Sequence, residues 1–470
     1  MLQTADTADD AEKAGYVGDA HDATGRPTGK PRTVSVPSGR GFARAGAADA
    51  AGSFITPAPF EVDPSRSDVV ALADEPPRID ISDFRQIVMN CVASGASDLT
   101  IQTDRQPRAS IHGRHYRLTR RPWTQSEVDQ ILREIYGADN APAEIKGRNI
   151  LDFAWEIRID RFMRQRFRVN ATGIHSASGD GVEITLRALP SSTPTLDGVS
   201  LDRGLLPWMT PRNGIIVIAG ATGQGKSTTM AAVTRHHLED VGEPRKIVDI
   251  QKPIEYTFYD VTRSLEGSAS TIAQSEVGRH IHSFSDGVWS ALRRAPDIIN
   301  VGEARDQETI LASIEASLTG HLVYTTTHAG TVEETLRRMV TAFGPAERES
   351  RAFDLITSLK FVMTQYLLPS REGTGRVPVR EFLAIDARVR DLLVRSPSDE
   401  WSGIVADIMS GRRDIPVPRL RLGDAVRDLL DNKKISETVA RPYLMMSRSR
   451  GDDEEEKAGQ PPRSRDEEDC

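Results

Sequence analysis

The sequence is poor in cysteine, in long apolar runs and in excess positive charge. Only two cysteines occur among 470 residues, Cys91 and Cys470. They offer neither a disulfide framework nor a cysteine-rich zinc site, a pattern that fits a reducing compartment. No apolar stretch approaches the roughly 20 residues that a membrane-spanning helix needs. The opening residues, Met1-Leu2-Gln3-Thr4-Ala5-Asp6, lack the basic and apolar regions of a secretory leader. The formal net charge of −8 argues against nucleic-acid binding through a broadly basic surface. The five tryptophans are scattered, and nowhere do aromatics interleave with basic residues as a platform for single strands would require. These absences predict a soluble cytoplasmic protein with no stable sequence-specific nucleic-acid binding, meeting a membrane only through partners.

What is present divides the chain. Residues 1–78 are rich in Ala, Gly, Asp, Pro and Ser without sustained periodicity, and are expected to form a disordered N-terminal extension. Residues 79–190 mix two periodicities. Helical spacing runs from Ser82 to Val92 (Phe84, Ile87, Val88, Val92) and from Trp123 to Tyr136. Alternation marks strands at 99–101, 109–111, 153–158, 167–170 and 182–186, with a turn at His112-Gly113. This predicts a small α+β domain. The Pro/Ser/Thr stretch at 191–195 is the expected hinge linker. From 196 to 445, apolar strands (215–219, 247–250, 298–302, 322–326) alternate with helical segments (227–238, 285–294, 306–317, 332–340). That is the pattern of a parallel sheet covered by helices, an α/β fold. A helical block is expected over 347–365, then a glycine turn at 373–375, then a mainly helical C-terminal region. Residues 446–470, with acidic runs Asp452–Glu456 and Asp466–Asp469, are expected to form a disordered acidic tail.

The informative stretch of the second domain is Gly214 to Thr228. An apolar run enters the G-x-x-x-x-G-K-S spacing of Gly220, Ala221, Thr222, Gly223, Gln224, Gly225, Lys226 and Ser227, then Thr228 and a helix-compatible segment. Strand, glycine loop and helix in that order make a phosphate-binding loop. Glycines let backbone N–H groups curl around phosphate oxygens, and the helix N-terminus adds its positive end. Lys226 is placed for the β- and γ-phosphates, and the Ser227 hydroxyl for Mg²⁺. The motif predicts binding of a nucleoside triphosphate.

Two further strand ends carry chemistry. Asp297 to Val301 leads into Gly302-Glu303, which sets a carboxylate at the strand's carboxyl end, where parallel sheets bind ligands. Glu303 is suited to orient the attacking water and, through water, to support the Mg²⁺ shell. The alternative is a structural ion pair with Arg305. Thr319 to Thr327 ends in a hydroxyl cluster followed by His328, suited to hydrogen-bond or sense the γ-phosphate. The pairs His236-His237 and His280/His282 lack the further ligands that a tetrahedral metal site needs.

In order, the phosphate loop, Lys252-Pro253-Ile254-Glu255, Gly302-Glu303-Ala304-Arg305-Asp306 and Thr319-Gly320-His321 through His328 resemble the secretion and pilus-retraction traffic ATPases (PilT/GspE-like). The resemblance extends from about Ile79 to Leu444. Arg168 to Gly173 and Thr185 to Pro190 resemble most the DotB/TraJ branch of Dot/Icm type IVB secretion and IncI-type conjugative transfer ATPases. The resemblance implies a RecA-like P-loop NTPase core, a smaller PAS-like α+β N-terminal domain, ATP and Mg²⁺ as cofactors, and assembly as a homohexamer. It implies catalytic roles for Glu303 and His328 and for first-domain arginines, with Arg168 and Arg187 matching best and Arg166 a neighbour. It further implies partners among the inner-membrane and cytoplasmic components of a secretion, conjugation or pilus apparatus, hence recruitment to the inner face of the bacterial inner membrane. One departure stands out. Where the family usually carries a glutamate two residues before the proline, this chain has Gln251, followed by Lys252. The Ala-Ile-Arg-Ala-Gly sequence of retraction motors is not evident. The alternatives are a type IV pilus or type II secretion motor, and a nucleotide-binding structural or regulatory ring with little turnover.

Overall fold

The computed structural model describes residues 57–446, apart from 61–66, 70, 73, 112–113, 161–163, 265–268 and 374. The expected turn at His112-Gly113, most of the N-terminal extension and nearly all of the acidic tail therefore lie outside the described residues.

In the first domain, helix α1 (Ile81–Ala93) precedes strands β1 (Ala96–Gln102), β2 (Arg108–Ile111) and β3 (Arg114–Arg117). Helices α2 (Gln125–Tyr136) and α3 (Ala141–Lys146) follow, then strands β4 (Leu151–Arg158), β5 (Arg164–Ser176) and β6 (Gly179–Ala188). The strands form one six-stranded sheet, β3-β2-β1-β6-β5-β4, antiparallel throughout. The long helices start where the sequence supplies caps: Asp80 with Asp83, and Thr124 with Glu127, each close a reciprocal capping box. Phe84, Trp123, Trp155, Phe167 and Val169 fill the core between the helices and one sheet face. Contacts with this domain begin before Ile79: the Ala58 N–H donates to Asn90 Oδ1 (2.8 Å), and Ala71 is buried in the same core.

The second domain opens with a helical turn, α4 (Leu206–Met209), and then alternates. Strand β7 (Gly214–Ala219) leads into α5 (Lys226–Glu239), β8 (Lys246–Gln251), α6 (Tyr259–Ser264), β9 (Thr271–Glu276) and α7 (Phe284–Leu292). Next come β10 (Ile298–Val301), α8 (Gln307–Leu318), β11 (Leu322–Thr327), α9 (Val332–Thr341) and α10 (Arg348–Ser358). The chain continues through β12 (Leu359–Pro369), β13 (Arg376–Ala384), α11 (Ala387–Val394), α12 (Trp401–Ser410), β14 (Arg419–Leu420), α13 (Leu422–Asp431) and α14 (Glu437–Met446). The eight-stranded sheet has the order β14-β13-β12-β7-β11-β10-β8-β9. It is parallel from β12 to β9, and β13 and β14 add an antiparallel edge.

Alternate residues of the central strands serve two cores. Ile215, Val217, Ile250, Val301 and Val323 pack on one face, and Ile216, Ile218, Ile247, Ile298 and Tyr324 on the other. The continuous apolar runs follow from burial on both faces. The helical block expected over 347–365 is corrected: α10 ends at Ser358, and the rest is strand β12. Phe361, Val362 and Met363 are all fully buried, as a central strand demands.

At the linker, Ser191 and Ser192 are exposed, whereas Thr193 is buried. The Thr193 hydroxyl donates to Asp260 Oδ1 (2.7 Å), and its carbonyl accepts from Arg235 Nη1 (2.7 Å). Among the described residues no helix is long and apolar enough to cross a membrane.

Candidate nucleotide-binding site

Strand register brings the informative residues together. Val217, Thr325, Val301 and Ile250 lie side by side across β7, β11, β10 and β8. Each chain then leaves the sheet at the same carboxyl edge: β7 into the glycine loop, β10 into Gly302-Glu303, β11 into His328, and β8 at Gln251. A parallel sheet gathers these ends because all four strands point the same way.

The loop residues Gly220, Gly223 and Gly225 have φ values of +145°, +79° and +78°. A side chain at 220 is also excluded sterically, since its Cβ would stand 2.5 Å from the Gln365 carbonyl oxygen. Strand β12 braces the loop from beneath. Gln365 Nε2 donates to the Gln224 carbonyl, and the Leu367 N–H donates to Gln224 Oε1, both at 2.6 Å. Ala221, Thr222 and Gly223 are exposed at the tip. Helix α5 begins at Lys226, so Ser227 and Thr228 stand on its first turn, where N–H groups lack intrahelical partners. This is a ready seat for phosphate oxygens. The Thr228 hydroxyl is hydrogen-bonded to Tyr256 Oη (2.9 Å).

Lys226 is buried, and its Nζ donates to the carbonyls of Gly220 (2.8 Å) and Ala221 (3.0 Å). Burial lowers its pKa, while the carboxylates of Glu303 and Glu255 act the other way. His328 Nε2 lies 3.3 Å from Glu303 Oε1. Burial and the Lys226 cation lower the His328 pKa, against the pull of Glu303 and a hydrogen bond with the Gly220 backbone. Gly220, Lys226, Glu303 and His328 thus form one cluster. Glu303 pairs with His328 rather than with Arg305, the structural partner that the sequence also allowed.

Gln251 faces inward. Its Nε2 donates to Asp249 Oδ1 (2.7 Å), and Gln274 Nε2 donates to Asp249 Oδ2 (2.7 Å). Burial raises the Asp249 pKa against these hydrogen bonds and one from Asn300. Gly302 packs directly against this side chain: a Cβ there would stand 2.6 Å from Gln251 Oε1, so a larger residue would displace the Gln251 amide. A small pocket behind the loop is lined by Ser227, Asp249, Gln251, Glu255, Tyr256 and Asn300. Ser227 and the nearby carboxylates make an oxygen-rich donor set that suits Mg²⁺. Among the described residues no three His, Cys, Asp or Glu side chains form a metal cage, and a Mg²⁺ shared with nucleotide phosphates and water needs none.

The first-domain arginines divide. Arg168 and Arg187 are direct neighbours across β5 and β6 on the sheet's outer face. Each is paired within its own domain: Arg168 Nη2 with Asp152 Oδ2 (2.9 Å), and Arg187 Nε with Asp98 Oδ1 (2.7 Å). Arg166 reaches the second domain, donating from Nη1 to the Ile254 carbonyl (2.7 Å) beside Glu255. Burial lowers its pKa, opposed by Glu276 and Glu156. The spacing of the three arginines did not single out Arg166. What distinguishes it is a contact across domains with the Ile254 carbonyl, which sequence alone does not give. In sequence, Glu255 belongs to the Lys252–Glu255 segment and is, with Asp249, a candidate to stand in for the acid missing at Gln251; Tyr256 carries no such signal.

A glycine loop on the central strand of a parallel sheet, with a lysine, a glutamate and a histidine at the same edge, defines a P-loop nucleotide-binding protein. Comparison with known proteins agrees. The family described as "Type II/IV secretion system protein" matches residues 162–399. The chain is 30% identical over 318 residues to "Type IV pilus retractation ATPase PilT" of Pseudomonas aeruginosa, covering 66% of this chain and 85% of that protein. The structure of the Legionella pneumophila ATPase DotB matches with a TM-score of 0.70 at 34% identity, covering 81% of this chain and 100% of that one. The pilus retraction motor PilT with bound ADP matches at 0.63 and 26% identity, covering 76% and 96%. The second domain has the RecA-like ATPase fold of these neighbours. The chain belongs to the type II/IV secretion system protein family and is an ATPase of that family.

Proposed function

We propose that the chain is a Mg²⁺-dependent motor that works as a homohexamer and powers a conjugative transfer or type IVB secretion apparatus at the inner face of the bacterial inner membrane. The observation that carries this reading is the 34% identity with the ATPase DotB across the whole of that chain. In this reading Gly220 to Thr228 cradle the phosphates of ATP, and Ser227 and, through water, Glu303 hold Mg²⁺. The bound ion neutralises charge on the β- and γ-phosphates. Glu303 orients the attacking water, and His328, already held between Glu303 and Gly220, hydrogen-bonds the γ-phosphate. Arg168, Arg187 and Arg166 supply cations from the first domain, which is PAS-like in this reading, supported by its antiparallel sheet with helices on one face. Turnover moves residues 79–190 against 196–445 about the linker at 191–195. The exposed Ser191 and Ser192, beside the anchored Thr193, favour a hinge at its first residues.

The test is ATP turnover by purified protein with Mg²⁺, alongside Lys226→Ala and Glu303→Gln, with oligomeric state read from the same samples. Wild-type turnover from a hexamer, falling about 10²–10³-fold or more in each variant, is the expected result. Wild-type protein that binds no nucleotide overturns the reading. One observation favours a second reading, a nucleotide-binding ring with little turnover: the amide of Gln251 is engaged with Asp249 where the family carries an acid. Wild-type binding without turnover, restored by Gln251→Glu, would establish it. The 30% identity with PilT supports a pilus or type II motor instead. Deleting the gene in its host and scoring conjugative transfer against pilus retraction separates these.

A further inference from the structure

The loop that carries His328 is tied, through two side chains, to the C-terminal helix pair. His328 leaves β11 and runs through Ala329, Gly330 and Thr331 into α9 at Val332. Glu381, buried on β13 opposite Thr364, takes the Val332 N–H on Oε2 at 2.9 Å and the Thr364 hydroxyl at 3.3 Å. Its carboxylate also takes the backbone N–H of Leu422. Val332 and Leu422 are the first residues of α9 and α13, so one carboxylate sits at the N-termini of two helices. The first-turn N–H groups have no intrahelical partners, and both helix dipoles present their positive ends to it.

A second tie runs in parallel. Tyr366 Oη on β12 donates to the Gly330 carbonyl at 2.7 Å, and its ring packs edge-on against Tyr443 of α14, with centroids 5.6 Å apart. Helices α13 and α14 share one apolar cluster with the antiparallel pair β12–β13, through Leu368, Val379, Leu422, Val426, Ile435 and Ala440. The Gly330 N–H is held by Glu334 Oε2 (2.6 Å), so the loop has little slack of its own.

The geometry points to Glu381 as a positioning residue, seconded by Tyr366, that sets His328 against Glu303 and makes the α13–α14 pair a lever on the catalytic edge. It rests on the proposed role of His328 in turnover. A displacement of α13 moves the carboxylate, and the carboxylate moves the start of α9. Misplacements of this kind near a reacting group cost rate rather than ligand affinity.

The experiment uses the full chain with Glu381→Gln, which keeps shape but can accept through only one oxygen, and Tyr366→Phe. The expected result is kcat about 10-fold lower for Glu381→Gln and a few-fold lower for Tyr366→Phe, with KM for ATP within about twofold. Both effects vanish in a His328→Ala background, because the residues act through that histidine. The His328 ring resonance in nucleotide-free, isotope-labelled protein shifts in Glu381→Gln. That readout needs no turnover, so it still decides the proposal should the wild type prove inactive, an outcome that counts against the motor reading instead. Effects that add in full to His328→Ala, or an unmoved His328 resonance, overturn it.

Discussion

The six-stranded sheet of the first domain hides one face and leaves the other to charged side chains, whereas the central strands of the second sheet are buried on both faces. The consequences differ in kind. On a sheet covered twice, charged chemistry concentrates at the carboxyl edge, so topology dictates where Lys226, Glu303 and His328 meet. On a sheet covered once, residues two apart line up on the open face whatever they do. Arg164, Arg166 and Arg168 share that face, and spacing does not say which of them works.

The contrast predicts unequal costs of truncation. Phe361 is fully buried on β12 and stacks on Phe382 with centroids 5.6 Å apart. Phe361→Ala should cost about 3–5 kcal/mol, the transfer term plus a cavity that a sheet packed on both faces cannot close. Urea unfolding checks it. A comparable loss from an outer-face residue of the first sheet would show that burial on one face or two makes no such difference.

A titratable group inside the doubly covered layer sharpens it. His237 is hydrogen-bonded to Tyr324 Oη at 2.7 Å, and burial, with His236 and Arg245 nearby, lowers its pKa to about 3. An unfolded histidine titrates near pH 6.5. Between these values the unfolded chain binds the extra proton, so this contribution is complete above the unfolded value and is lost as pH falls toward the folded one. From about pH 7 to about pH 5 the loss should reach about 2 kcal/mol. Urea midpoints at the two pH values, compared between wild type and His237→Phe, isolate it. Equal pH dependence in both proteins refutes the assignment.

Arg166 lies where the two regions meet, and its truncation should fall between the extremes. Arg166→Ala leaves the Ile254 carbonyl without its donor and the Glu276 carboxylate without its neighbouring cation. A loss of about 1.5–2 kcal/mol is expected, the lower part of the range for a hydrogen bond to a charged group, since Arg166 is only partly buried. Thermal unfolding measures it. A change below about 0.3 kcal/mol would place Arg166 with the solvated arginines of the open face.

Much of the second domain was legible because its strands are mostly apolar runs, two of them ending at a glycine: 215–219, 247–250, 298–302 and 322–326 each fall within a residue or two of β7, β8, β10 and β11. The helical segments 306–317 and 332–340 likewise match α8 and α9, which the structure shows capped by Asp306 and Thr331. The β12–β13 hairpin was not legible. It follows α10 without a breaker, and it carries Gln365, Arg380 and Glu381, polar residues that read as surface until their buried partners are known. Strand β9 was missed because it lies at the sheet edge, and its Thr-Ile-Ala-Gln-Ser-Glu alternates weakly. At the site, residue types at strand ends were readable, but contacts across domains were not. Asp249, which takes the Gln251 amide on one oxygen, takes the amide of Gln274 from the missed strand on the other.

The smallest stability effects belong to Arg187 and Arg168, and there the comparison is most open to test. The Arg187 side chain is 65% exposed and the Arg168 side chain 45% exposed, each against a carboxylate of its own sheet. Exposed pairs of this kind contribute about 0–1 kcal/mol, screened further by salt. Arg187→Ala and Arg168→Ala should therefore shift unfolding by no more than about 1 kcal/mol, with Arg187 the lesser. Turnover is the independent readout. If a cation from the open face completes the nucleotide site, Arg168→Ala should cut kcat about 10-fold or more while leaving stability nearly unchanged, since charge stabilisation at phosphate is felt in the transition state. The positions themselves favour Arg168 over Arg187, because Arg168 already feels the carboxylates of Glu255 and Glu276 on the second domain. A variant that is fully active and fully stable would leave that arginine as a solvated partner of its own aspartate, which is what the open face alone would select.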